Sequence, residues 1–164
     1  MENNKQPEVI VYKSGMIHTV ISYSYITFLL AIASGAIFDA LVPIRILNHS
    51  IFPYIGFAMI ILGPMLTYWA QKSSDNAKKS VIIKKLPVSF EHGPYKYTRN
   101  PSYLGVVIMI IGLGFFANSI AIIVFSSIAY FIVKFIFIKQ EEKLLVLKYG
   151  QVYLDYKKKV KNRL

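Results

Sequence analysis

Two short runs of polar and aromatic residues interrupt an otherwise apolar chain, and they hold the side chains that could do chemistry. The first is LPVSFEHGPYKYTRNPSYLG, Leu86–Gly105, with three tyrosines and Arg99. Asn100 is a favoured helix N-cap, and Pro101 suits the first helical position, where its missing N–H costs nothing. A helix starting there points unpaired N–H groups back at the loop, a setting that favours anions. Gly93-Pro94 upstream forces a turn. Arg99 beside the helix start can hold a phosphate. Taken singly, Tyr95, Tyr97 and Tyr103 also fit an interfacial aromatic belt.

The second run is KQEEKLLVLKYGQVYLDYKKKV, Lys139–Val160. Leu145, Tyr149, Val152, Tyr153 and Tyr156 recur at helical spacing, with lysines opposite, as in an amphipathic helix on a membrane surface. Gly150 marks a bend. Glu141 and Glu142 are harder to explain by lipid alone, because acids at a membrane boundary gain nothing from anionic headgroups. They require a partner, and Arg99 or a ligand it helps to hold is the candidate.

The elements that must position these runs are membrane helices. The chain has 164 residues, is 55% hydrophobic and carries a net charge of +11, with a mean hydropathy of +0.47. That composition excludes an ordinary soluble domain and fits one polytopic all-α membrane domain over residues 1–164. A span needs roughly 20 apolar residues. Residues 16–38, 51–70 and 120–138 meet this, and 102–117 is a shorter fourth. Asn118-Ser119 makes the last two a helical hairpin. Residues 1–15 lack a secretory signal's basic start and cleavage site, so 16–38 is expected to be retained.

Lysine and arginine concentrate in 71–101 and after Ile138, and are nearly absent between the other spans. Four crossings place the N-terminus, the long loop and the tail on one side, which the positive-inside bias makes cytoplasmic. The same charges account for attraction to membrane lipids, about 1 kcal/mol per surface Lys or Arg. Nucleic-acid binding has no support, since stacking and groove-reading patterns are missing. With no cysteine, thiolate zinc sites and thiol nucleophiles are excluded. His18, His49 and His92 are too scattered for a metal site.

Together the two runs resemble the integral-membrane methyltransferases related to isoprenylcysteine carboxyl methyltransferase and, more distantly, to phospholipid N-methyltransferase. Those proteins carry G-x-Y-x-x-x-R-H-P-x-Y-x-G, then a helical hairpin, then E-E-x-x-L and F-G-x-x-Y-x-x-Y. This chain has Gly93, Tyr95, Arg99, Pro101, Tyr103 and Gly105 at the first spacing. It has Glu141-Glu142, Leu145, Tyr149-Gly150, Tyr153 and Tyr156 at the second. The likeness spans about Leu86 to Val160.

The resemblance implies S-adenosylmethionine as cofactor, bound by Pro87, Val88, Ser89, Phe90, Tyr95, Asn100, Pro101, Ser102, Tyr103 and Glu141. Its ribose diol suits a carboxylate, its methionyl carboxylate a helix N-terminus or arginine, and its sulfonium an aromatic face. The expected activity is methyl transfer to a lipophilic small molecule or a prenylated acceptor, most like isoprenylcysteine carboxyl O-methylation. Arg99, Glu142 and Lys134 are the expected catalytic residues, with Glu142 or Tyr103 assisting an amine acceptor's deprotonation.

Two positions depart from the family pattern. Asn100 replaces a histidine and keeps a hydrogen-bonding group. Phe137 replaces an arginine thought to hold the substrate carboxylate. Lys134 lies on the same α-helical face as Phe137 and Glu141 and is expected either to anchor the acceptor instead, or to snorkel or face a water-filled seam between helices. The competing readings are phospholipid N-methylation, an NADPH-dependent sterol-reductase-like protein, and a membrane adaptor without catalysis.

Overall fold

The computed structural model describes residues 15–45, 51–84 and 87–160. The expectations for residues 1–14, His49 and Leu86 lie outside the described residues. Among the described residues six α-helices follow one another: α1 (Met16–Leu41), α2 (Ile51–Lys84), α3 (Pro101–Phe116), α4 (Ile120–Ile132), α5 (Lys139–Tyr149) and α6 (Gln151–Lys159). A π-helical stretch, Val133–Ile138, joins α4 to α5 without a break. No strand occurs among the described residues, so the protein is all-α.

Local sequence explains where the helices stop. Asn118 takes a left-handed φ of 51° between α3 and α4, a conformation asparagine tolerates better than most residues. The Ser119 hydroxyl then accepts from the Ile122 N–H at 3.3 Å, capping α4. Gly150, at φ 55°, separates α5 from α6. Two helices outrun their apolar cores. α2 continues past Ala70 to Lys84 because residues 71–84 contain no proline or glycine to end it. The fourth apolar stretch likewise stays helical to Tyr149, with α5 as its polar extension.

Among the described residues three helical stretches are long and apolar enough to cross a membrane, and α3 is a shorter apolar helix beside them. Their outward side chains are apolar too: Leu29, Leu30, Leu62, Met65 and Phe131 are all exposed. Such a surface is suited to hydrocarbon, not water. The chain is a polytopic all-α membrane protein.

Two pairings organise the bundle. α2 lies along α3 and α1 lies along α4, with α3 and α4 themselves paired. α2 and α3 are antiparallel and very close. A Cβ on Gly63 would stand 2.5 Å from the Gly105 carbonyl oxygen, so only glycine permits this approach. Phe28, Val106, Ile110, Ala129 and Val133 fill the centre between α1, α3 and α4. At one end Ile120 N–H donates to the Ile44 carbonyl at 3.2 Å. At the other end the start of α1, the extension of α2, the loop 87–100, α5 and α6 converge on one cavity.

Candidate functional site

The loop before α3 is shaped by its own backbone. Tyr95 N–H donates to the His92 carbonyl at 3.0 Å, and Tyr97 N–H to the Pro94 carbonyl at 3.0 Å. These bonds form a short 3-10 turn, Gly93–Lys96, with Pro94 buried. α6 then folds back across the loop. The Phe90 ring sits edge-on to Tyr149 at 5.0 Å and to Tyr153 at 5.2 Å, and stacks on Tyr156 at 5.4 Å. Tyr156 Oη donates to the Tyr95 carbonyl at 2.8 Å, and Lys159 pairs with Glu91 at 2.9 Å. Tyr153 and Tyr156 of the amphipathic face are therefore buried against protein, while Val152 stays exposed. Burial raises the Tyr95, Tyr153 and Tyr156 phenols above their usual range, which keeps them neutral and able to donate.

The paired acids face different partners. Glu142, 8% exposed, forms ion pairs with Arg99 Nη2 at 3.2 Å and Lys157 Nζ at 2.7 Å. It joins the loop, α5 and α6 in one charged cluster. Glu141 turns the other way. Its Oε2 accepts from Tyr103 Oη at 2.9 Å, and Tyr103 Oη lies 3.3 Å from the buried Ser24 hydroxyl of α1. The Tyr103 ring is stacked against Tyr25, centroids 6.4 Å apart. A polar layer thus links α1, α3 and α5.

Above that layer opens a cavity of about 490 Å³. The loop contributes Val88, Ser89, Phe90, His92, Tyr95, Arg99 and Asn100, and α5 and α6 contribute Glu141, Leu145, Lys148, Tyr149, Tyr153 and Tyr156. Three donors beside it are unusual. Arg99 Nε and Nη1 and Asn100 Nδ2 are buried without a hydrogen-bond partner among the described residues. Unpaired buried donors are costly and mark a place where a ligand's acceptor atoms would be welcome. Burial lowers the His92 imidazole below the usual histidine range, against a weaker opposing bond to the Ser89 carbonyl.

The structure brings together Val88, Ser89, Phe90, Tyr95, Arg99, Asn100 and Glu141 on the cavity wall. Asn100 stands at the expected N-cap position of α3, yet its side chain makes no capping bond. Pro87, Pro101, Ser102, Tyr103, Glu142 and Lys134 do not line the cavity. Tyr103 and Glu142 stand directly behind it, through Glu141 and Arg99 respectively. Lys134 lies elsewhere, with its ammonium 5.5 Å from the Tyr130 ring centroid. The shared face expected for Lys134, Phe137 and Glu141 assumed a continuous α-helix. The π-helical stretch adds residues per turn and breaks that register.

Sequence reasoning missed the part of the wall that comes from α1 and α2. Ile17, His18 and Ile21 line one side, and Ser74, Ala77 and Lys78 another. Neither helix carries a local motif. The available signal was α2's unbroken helical composition beyond Ala70, which carries Ser74 and Lys78 to the rim. No group of metal-ligating side chains occurs among the described residues.

A search of the curated proteins finds no match. The family model described as phospholipid methyltransferase matches residues 51–152, a range that includes most of both polar runs and the hairpin between them. The chain belongs to the phospholipid methyltransferase family and is a membrane methyltransferase.

Proposed function

We propose that this protein transfers a methyl group from S-adenosylmethionine to a polar group of a lipophilic acceptor taken from the bilayer. The observation that carries this reading is one cavity wall with Glu141, Arg99, Asn100 and a cluster of aromatic rings, with buried unpaired donors of Arg99 and Asn100 behind it. Each matches a part of that donor. A carboxylate accepts from a ribose diol, and Arg99 with Asn100 supplies hydrogen bonds to the methionyl carboxylate. Phe90, Tyr95 and Tyr149 offer faces for the adenine and the sulfonium.

When bound, the donor supplies an electrophilic methyl group for in-line displacement. The chain's own residues contribute alignment and exclusion of water. Glu142 and Lys157 hold the Arg99 guanidinium in place, and Tyr103 holds Glu141. The lysine and arginine bias supports a topology of four crossings with this end of the bundle and both termini on the cytoplasmic side. The donor then arrives from the cytoplasm and the acceptor from the membrane.

The methylated group is either the carboxylate that the isoprenylcysteine resemblance implies or the headgroup amine that the family description implies. A carboxylate is already nucleophilic, whereas an amine must first lose a proton. Isothermal titration of the purified protein with S-adenosylmethionine and its demethylated product tests the donor. Saturable binding in the micromolar class, roughly −8 kcal/mol, is expected, and no saturable heat from either would defeat the reading. Labelled product from a host lipid extract then distinguishes the acceptors, because a methyl ester is lost in mild alkali and a methylamine is not.

A further inference from the structure

A second cavity, of about 130 Å³, lies inside the bundle between α1, α3 and α4. Phe28, Val107, Ile110, Ile111 and Tyr130 make its wall largely apolar, and Ser126 and Ser127 are the serines on it. Ser126 is 3% exposed and its hydroxyl has no hydrogen-bond partner among the described residues. Other helical hydroxyls here behave differently. Ser22, Ser24, Thr27, Thr67 and Ser127 each donate to the carbonyl four residues earlier. Ser126 forgoes that bond, and a buried hydroxyl left unpaired is expensive.

Size and chemistry narrow the occupant. An apolar cavity of about 150 Å³ can hold a benzene ring, and this one is slightly smaller. Two acyl chains do not fit. Its position ties it to the site above. Phe28 lies one turn beyond Ser24 on α1, and Val107 one turn beyond Tyr103 on α3. The cavity is therefore about 6 Å further into the bundle than the Ser24–Tyr103–Glu141 layer. Val107, Ile111 and Tyr130 are part-exposed, so it opens sideways toward the hydrocarbon.

The geometry points to this cavity as the seat for a compact apolar group of the methyl acceptor. That group is one six-membered ring or a branched chain end of similar size, with one atom that hydrogen-bonds Ser126. The assignment rests on the methyl-transfer reading and specifies what kind of acceptor it takes.

Fluorine NMR titration of the purified full chain in detergent, referenced to empty micelles, tests it with 4-fluorophenol and 4-fluorotoluene. Both probes should bind saturably to the wild type. Ser126→Ala should weaken 4-fluorophenol about fivefold, the scale of one hydrogen bond, and leave 4-fluorotoluene unchanged. Val107→Phe, which fills the cavity, should abolish binding of both. It should also cut label transfer from S-adenosylmethionine into a host lipid extract at least tenfold, with donor affinity by calorimetry unchanged. If Val107→Phe does not fold, Ile111→Trp at the rim serves the same purpose. Failure of both probes to bind the folded wild type overturns the cavity assignment. Probe binding with unchanged label transfer in the filled variant overturns the acceptor assignment. Absence of donor binding in the wild type defeats the methyl-transfer reading itself, and the acceptor assignment with it, whatever the probes show.

Discussion

The Arg99 guanidinium stands 3.2 Å from the Glu142 carboxylate, and both side chains are about nine-tenths buried. This contact fastens the loop before α3 to the start of α5. It also leaves Arg99 Nε and Nη1 free of other partners among the described residues. Removing one member of a buried ion pair strands the other, which typically costs about 3 kcal/mol. Glu142→Ala should therefore lower stability by roughly that amount in thermal denaturation. The double change Arg99→Met with Glu142→Met should cost less than the sum of the single changes, since neither charge is then stranded.

Glu141→Gln keeps the size of the side chain and an acceptor for Tyr103 but removes the charge at the cavity wall. Tyr103→Phe removes the 2.9 Å bond that orients Glu141. A hydrogen bond to a charged group contributes about 1.5–3 kcal/mol. Each variant should weaken S-adenosylmethionine binding about tenfold or more in calorimetric titration, with little change in melting temperature for Glu141→Gln.

Phe90 joins the loop to α6 through three ring contacts. Phe90→Ala should cost about 2 kcal/mol, less than a fully buried phenylalanine because the side chain is only half-buried. Tyr156→Phe, which loses only the bond to the Tyr95 carbonyl, should cost about 1 kcal/mol. Amide hydrogen exchange across Gln151–Lys159 should rise strongly in the first and slightly in the second.

His92 has a depressed folded-state pKa because burial disfavours its charged form. Its contribution to stability is fully present above the unfolded value of about 6.5 and is lost as pH falls through the lower folded value. Melting temperature should decline from pH 7 to pH 5, and His92→Gln should flatten that slope. A charged His92 would also place a cation on the wall meant for a sulfonium. Donor affinity should thus fall over the same interval in the wild type and less in the variant.

Gly63 meets α3 backbone directly, so Gly63→Ala must push α2 from α3. Overpacking of this kind costs about 1–3 kcal/mol. Because Ser74 and Lys78 on the α2 extension line the cavity, donor affinity should drop along with thermal stability.

The helical membrane architecture was legible in the sequence because uncharged apolar runs near 20 residues have few other uses. The hairpin turn was legible because Asn118 and Ser119 are residues that tolerate and cap such a turn. Much of the cavity wall was legible through the family resemblance that Tyr95, Arg99 and Glu141 help to carry. Three things were not. The contributions of α1 and α2 depend on packing between distant segments, and Ile17 or Ser74 look like any other helical residues. The role of Tyr153 and Tyr156 was hidden because an amphipathic face is the same pattern whether it meets lipid or protein. The position of Lys134 was misjudged because nothing in VKFIFI announces a change of helical pitch.

That change of pitch has a consequence for how two neighbouring acids divide their tasks. Each α-helical residue advances the angular phase by about 100°, so Glu141 and Glu142 always point apart. Which of them meets Tyr103 and which meets Arg99 is set by the phase delivered at Lys139. Val133–Ile138 delivers it by spending more residues per turn than the helix on either side. Deleting a single residue there would leave every helix intact and every functional group present, yet rotate the carboxylates away from their assigned neighbours. The chemistry of this end of the bundle is thus keyed to an irregularity buried in its most apolar helix.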